Sequence, residues 1–229
     1  MILAFLLPVA SRAADAFQFT QVSKLAGPYD LFVSKEALKA INRDTGFVLY
    51  SQAPDWQILL CNPPRKVYAT MPSDKFTGNM AHTISMIDAV TIEHLQFVPG
   101  SKKETLMGLQ VIHSTASIKE SEFRTGLDPT TARVWSGDCW ELDQHLVPVR
   151  VCHALQRLYG LPLRNNLPLR VLYHDLDKTM TAALETFKCK QGKVDVSYSV
   201  PPNFKKVSTE MEVCAVGAGK GSALDLLMR

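Results

Sequence analysis

The chain has 229 residues, 46% of them hydrophobic and 21% charged, a balance that belongs to folded globular proteins and excludes a disordered chain. Its 25 basic and 22 acidic residues leave a formal charge of +3. They form no basic run interleaved with aromatics, so no nucleic-acid partner is expected.

Residues 1–10 are a compact apolar block, and Ala14, Asp15 and Ala16 follow with the small-x-small spacing of a signal-peptidase site. This predicts a signal peptide over 1–16, cut before Phe17, and a periplasmic or secreted product. The other reading of the block is a buried N-terminal strand or helix. No later run reaches the roughly 20 apolar residues of a membrane-spanning helix. Residues 17–26 read as a short helix or a lead-in turn. Tyr29 to Val33 read as a strand, and 34–41 have helical propensity with Ser34 as cap. Residues 46–50, 55–61 and 65–70 are strand-like pieces separated by proline-containing turns.

Residues 75–88 follow Ser73 and Asp74, with Phe76, Met80, Thr83, Ile84 and Ile87 at three-to-four spacing. An amphipathic helix is expected there, either packed on the sheet or serving as a lid. Residues 98–103 read as a solvated turn, and 107–113 alternate as a strand with Met107, Leu109 and Val111 on one side. Residues 117–130 are polar and looped, with a further strand over Ile118 to Phe123 as the alternative, and 133–136 form a brief strand. A second helix over 148–159 places Val151, Leu155 and Leu158 on one face, and Gly160 followed by Pro162 ends it. Two runs, 169–173 and 180–186, then form an antiparallel hairpin. Residues 193–200 read as one more strand, and the glycine-rich 216–229 as a flexible tail. No internal repeat, long linker or composition shift divides the chain, so one domain over 17–215 is expected.

Motifs for chemistry are sparse. Cys61, Cys139, Cys152, Cys189 and Cys214 contain no Cys-x-x-Cys pair, which excludes a zinc ribbon or a thioredoxin-type site. Cys139 with Cys152 and Cys189 with Cys214 are candidate disulfides, and small buried apolar side chains are the alternative. The run from Gly217 to Ser222 misses the phosphate-loop register. Neither a Gly-x-Ser-x-Gly elbow nor a His-Glu-x-x-His pair occurs. His174 beside Asp175, and Cys152 beside His153, are the nominal acid–base pairs; a hydrolase using His174 and Asp175 is the least favoured reading. No metal site, cofactor or catalytic residue is assigned.

Leu-Tyr-Gly-Leu-Pro at 158–162, Leu-Pro-Leu-Arg at 167–170, the strand end Leu184, Glu185, Thr186 and Val-Pro-Pro-x-Phe-Lys at 200–205 together resemble the C-terminal half of the LolA/LolB-like periplasmic lipoprotein carriers. The resemblance implies an α+β fold: an incomplete antiparallel β-barrel, a curled sheet with about two covering helices. It also implies a non-enzymatic carrier whose half-barrel holds a hydrophobic small molecule or the acyl chains of a lipidated protein. Strand alternation selects Trp56, Ile58, Leu60, Tyr68, Met107, Leu109, Val111, Trp135, Val171, Tyr173, Leu184 and Val196 as lining residues, and Phe76, Met80, Ile84 and Ile87 as the lid. An envelope scaffold or sensor working through protein contacts suits the same fold. A transient membrane-surface or protein partner is compatible with either.

Overall fold

The structure is a computed structural model and describes residues 14–78, 95–117, 134–175 and 179–214. One sheet dominates it. Six strands run as a meander: β1 (Ala14–Ser23), β2 (Gly27–Val33), β3 (Ala37–Asn42), β4 (Val48–Gln52), β5 (Ile58–Asn62) and β6 (Val67–Met71). A second meander holds β7 (Val98–Leu106), β8 (Leu109–Ser117), β9 (Val134–Leu142), β10 (Pro168–Asp175) and β11 (Met180–Val194), with helix α1 (Val149–Tyr159) between β9 and β10. A 3₁₀ turn (Pro63–Arg65) between β5 and β6, the two-residue β12 (Lys205–Lys206) and helix α2 (Glu210–Cys214) complete the described elements. The sheet order is β12-β6-β5-β4-β3-β2-β1-β11-β10-β9-β8-β7, and the terminal strands β12 and β7 do not meet. Every pairing is antiparallel except β12 with β6.

At the usual strand spacing such a sheet is about 50 Å across. Yet Leu60 of β5, Leu155 of α1 and Cys139 of β9 share one hydrophobic cluster, so the sheet curls around α1 and remains open. This sheet dominance replaces the expected α+β balance. Alternation explains the curl locally: Tyr29, Leu31 and Val33 of β2 are buried, while Asp30 and Phe32 between them are partly exposed. Helix α1 ends as its sequence predicts. Gly160 adopts φ 66, a conformation costly for any residue with a Cβ. Gly160 N–H donates to Arg157 O, and Leu161 N–H to Gln156 O, which satisfies two carbonyls of the last turn.

Several expectations change. Residues 17–26 belong largely to β1, and 34–41 are a turn followed by β3. Ser34 Oγ accepts the N–H groups of Glu36 and Ala37, capping a tight turn between two strands. Residues 98–103 lie in β7, and 134–136 are the start of a nine-residue strand, residue 133 lying outside the described residues. Met107 and Gly108 have φ 51 and 78, the two-residue hairpin geometry that matches strand twist; Met107 is therefore a turn residue. Ala14 and Ala16 pair with Val194 and Gly192, so the expected cleavage point falls inside β1. All five cysteines are free thiols, and neither candidate disulfide forms. The segments 1–13, 79–94, 118–133 and 215–229, including most of the expected lid helix, lie outside the described residues.

The expected strand over 193–200 is the end of β11 followed by an irregular strap. Residues 195–204 cross the outer face of β3–β5, where Val196, Tyr198 and Phe204 pack on Ala37, Val48, Tyr50 and Cys61. Lys39 Nζ donates to Asp195 O at 2.9 Å and Ser197 O at 3.0 Å. Burial under the strap holds its ammonium pKa below the ordinary lysine value, against the pull of Asp195. The chain then turns around edge strand β6 through β12, and α2 places Val213 in the main core on the other side. The strap thus stitches both faces of the sheet at one edge. Tyr198→Ala, which removes the ring packed 5.9 Å from Tyr50, is expected to cost about 2 kcal/mol in urea unfolding and to open residues 195–204 to limited proteolysis.

Candidate functional site

The inner face of the curled sheet is the candidate site, and the elements divide its residues unevenly. Trp56, Ile58 and Leu60 at and within β5, Val111 of β8, Val171 and Tyr173 of β10 and Leu184 of β11 are all buried in the main core, and Leu109 packs against it. Trp135 of β9 is half-buried. Tyr68 and Val196 belong to the second cluster, under the strap. The register pairs Leu60 with Ala69 and Cys61 with Tyr68, so Tyr68 faces away from Leu60; both residues leave the inner wall. Met107 leaves it too, exposed in its turn. Of the lid residues Phe76 is buried in the main core, while Met80, Ile84 and Ile87 lie outside the described residues.

Helix α1 lies along this face through Val151, Ala154, Leu155 and Tyr159. Tyr159 stacks edge-on against Tyr29 at 5.3 Å and donates to Gln21 Oε1 at 3.1 Å. Gln21 Nε2 in turn donates to Thr186 Oγ1 and to Pro168 O. Gly137 permits a close approach: a Cβ there would sit 3.0 Å from the Phe97 ring and 3.2 Å from that of Tyr173.

Two hydroxyls on this face stand apart. Among the described residues, the buried side-chain polar atoms without a hydrogen-bond partner are Tyr173 OH and Ser51 Oγ. Tyr173 sits in the main core. Ser51 pairs with the fully buried Leu38 across β3 and β4, which puts it on the same face. Burial also drives the Tyr173 phenol pKa far above its ordinary value, with Cys139 adding to the rise, so the group is a neutral hydroxyl.

Sequence reasoning missed the charges inside. Arg164, between the two Leu-Pro-Leu runs, turns back onto the sheet. Its Nε donates to Glu141 Oε2 at 3.0 Å, Nη1 to Phe97 O at 2.9 Å and Nη2 to Ser114 Oγ at 2.8 Å. Arg164 N–H donates to Gln156 Oε1, and Asn166 N–H to Glu141 Oε1. Burial raises the Glu141 pKa, and the guanidinium opposes that rise. An arginine flanked by proline-containing hydrophobic triplets was the available signal. Arg164→Met strands a carboxylate whose side chain is 2% exposed and is expected to cost about 3–5 kcal/mol in denaturant unfolding. Adding Glu141→Gln is expected to recover a large part of that loss.

The nominal acid–base pairs dissolve. Cys152 is a buried thiol pushed up to about 12, by burial first and then by Glu141; it is no nucleophile at neutral pH. His174 takes its carboxylate from β9: Nε2 lies 2.8 Å from Asp138 Oδ2. Asp138 Oδ1 meets His113 Nε2 at 2.7 Å, and His113 Nδ1 meets Glu104 Oε1 at 2.8 Å. Trp140 stacks on His113 at 4.3 Å and donates to Glu104 Oε2, while Arg170 lies over Trp140 and pairs with Glu185. Both nitrogens of His113 are occupied, so its ring is a strut across three strands, with none left for general-base work. Partial burial pulls its pKa down, but the hydrogen bonds and charges of Asp138 and Glu104 outweigh that and raise it. A folded-state pKa above the unfolded one gives stability that is full below about 6.5 and fades as pH rises through the raised value. Urea unfolding of His113→Gln is therefore expected to lose the decline that wild type shows above pH 6.5.

No family model matches the chain, and no curated protein matches it. Among solved structures it is similar to PNGF-II, at TM-score 0.48 and 9% identity over 88% of this chain and 32% of that one, so it spans about a third of that protein. It is also similar to an uncharacterized conserved protein from Thermus thermophilus, at TM-score 0.43 and 8% identity over 87% of this chain and 93% of that one. A third likeness is to the Mycobacterium tuberculosis lipoprotein LppX, at TM-score 0.28 and 16% identity over 82% of this chain and 90% of that one.

Proposed function

We propose that the inner face of the curled sheet holds an amphiphile: a lipid or the acyl chains of a lipidated protein, with the apolar part against β5, β10 and β11. Trp56, Ile58, Leu60, Val171, Tyr173 and Leu184 are the wall; Leu109 and Val111, in register with Leu106 and Glu104, share the face of Glu104 and His113 and fall outside it. The reading carries with it a non-enzymatic role in the periplasm or outside the cell.

The observation that supports it best is the pair of unpartnered hydroxyls, Tyr173 OH and Ser51 Oγ. A buried polar group without a partner costs about 1–3 kcal/mol, and native interiors hold few of them. Separate ester, amide or hydroxyl groups of a bound amphiphile would supply partners to these hydroxyls, which lie five strands apart on β4 and β10, while its chains gain about 25 cal/mol per Å² of buried apolar surface.

Native mass spectrometry of protein purified from a bacterial periplasm is expected to show co-purifying lipid. Tyr173→Phe separates a hydroxyl that meets ligand from an idle one. The variant is expected to bind the recovered lipid about 3–10-fold more weakly, from the loss of one hydrogen bond, while its lipid-free form unfolds at equal or higher urea. A bare mass, with no thermal shift on adding phospholipid or acylated peptide, would overturn the carrier and favour a scaffold working through protein contacts.

A further inference from the structure

The outer face of the sheet raises a different question at its middle. Five long strands lie on each side of β1, so β1 and its partner β11 form the crest of the convex surface. The register there slips by one residue: Thr20 pairs with Lys188 and Gln21 with Thr186, leaving Phe187 as the bulged residue. Thr186 and Gln21 bond to each other on the inner side, and Phe187 is 61% exposed. Val22, 38% exposed, lies on the same outer side, one pair further along β1. Around them stand Lys188 and Lys190, which pair with Thr20 and Gln18, and Lys24 at the end of β1. All three lysines are exposed and have no carboxylate partner among the described residues. The nearest acids are engaged, Glu185 by Arg170 and Asp30 by Thr20.

We propose that this crest docks on an anionic lipid bilayer, with Phe187 and Val22 entering the headgroup boundary and Lys24, Lys188 and Lys190 meeting acidic headgroups. Three features select a bilayer over a protein. The apolar area is two side chains, far below the roughly 800 Å² per partner of a stable protein interface. A convex crest meets a flat surface at its highest strands, and those are the strands that carry Phe187. Exposed aromatic and aliphatic side chains ringed by lysine suit interfacial insertion with Coulombic attraction. The strap covers the neighbouring outer face of β3–β5 and stops short of the crest, where Phe187 is 61% and Val22 38% exposed. The inference is independent of what occupies the interior.

Co-sedimentation with vesicles tests it, using the full chain and phosphatidylglycerol/phosphatidylethanolamine vesicles beside neutral phosphatidylcholine ones. Wild type is expected to bind the anionic vesicles at least tenfold more tightly, and to lose that preference in high salt. Lys188→Gln with Lys190→Gln is expected to weaken anionic binding about 25-fold, at about fivefold per lysine. Phe187→Ser is expected to weaken it about tenfold at unchanged salt dependence. All three side chains project outward, so thermal unfolding serves as the control that the variants remain folded. Equal binding to both vesicle types, or full binding by both variants, overturns the proposal. So does wild-type self-association in sedimentation equilibrium that Phe187→Ser abolishes without any vesicle binding, which would give the crest to a second copy of the chain.

Discussion

The pairing of β1 with β11 is the constraint on which the rest of the structure depends. Ten register pairs, from Ala14 with Val194 to Ser23 with Leu184, join two meanders that are otherwise built from neighbours in sequence. Without that seam there are two smaller sheets, each with an apolar face and no partner for it. With it the sheet is continuous and can curl, and the inner residues of both halves enter one core. Closing a loop of about 160–180 residues costs chain entropy that rises only slowly with length, but contacts of such separation form late and slowly. The seam is accordingly reinforced by buried polar bonds: Gln21 holds Thr186, Pro168 O and the Tyr159 hydroxyl together, tying β1, β10, β11 and the end of α1.

The same seam separates the two surfaces by chemistry. Outward polar groups are well satisfied. Glu104, His113, Asp138 and His174 bridge β7 to β10, and Lys39 is held by strap carbonyls. Over β7–β10, where no strap residue packs, such a ladder fixes strand register in place of the apolar cluster that serves β3–β5. The bulge at Phe187 is the exception on that side, and it lies beside the bonds that hold the seam. A bulge re-aims side chains without breaking the sheet. Here it turns an aromatic residue to solvent while Thr186 keeps its inward bonds to Gln21 and to Leu169 O.

Much of the strand pattern was legible because strict alternation survives in the sequence. Val171 and Tyr173, Leu184, and Ile58 with Leu60 read as strands and are strands. Helix α1 was legible through its apolar spacing and Gly160. The strand β7 was not, because Pro99, Gly100, Lys102 and Lys103 carry turn chemistry; an edge strand tolerates proline and lysine, having one row of unpaired groups in any case. β3 was obscured by Lys-Glu-Ala-Leu-Lys propensity, which pairing on both sides overrides. Alternation also states that a strand has two faces without stating which is inner. Tyr68 and Val196 fell to the wrong side for that reason, since the strap that makes the second face apolar returns from a part of the chain far away in sequence. Arg164 was missed for a similar cause: its partner Glu141 lies 23 residues away on β9, and the flanking proline-containing triplets are the one local hint that the charge turns inward.

The satisfied and unsatisfied polar groups of the inner face differ in a way that bears on function. Arg164 and Glu141 are deep charges, yet each has several bonds, and removing one member would leave the other stranded. They order the 161–167 connection against the sheet. Tyr173 OH and Ser51 Oγ are the reverse, cheap groups in chemical terms, with no bond among the described residues. A phenylalanine at 173 would fill the same space beside Gly137 and Phe97 without that cost, and an alanine would do nearly the same at 51. The fold thus bonds its most expensive interior groups while keeping two dispensable hydroxyls, on β4 and β10 of the same face, without a partner among the described residues, and that contrast is what the proposed amphiphile rests on.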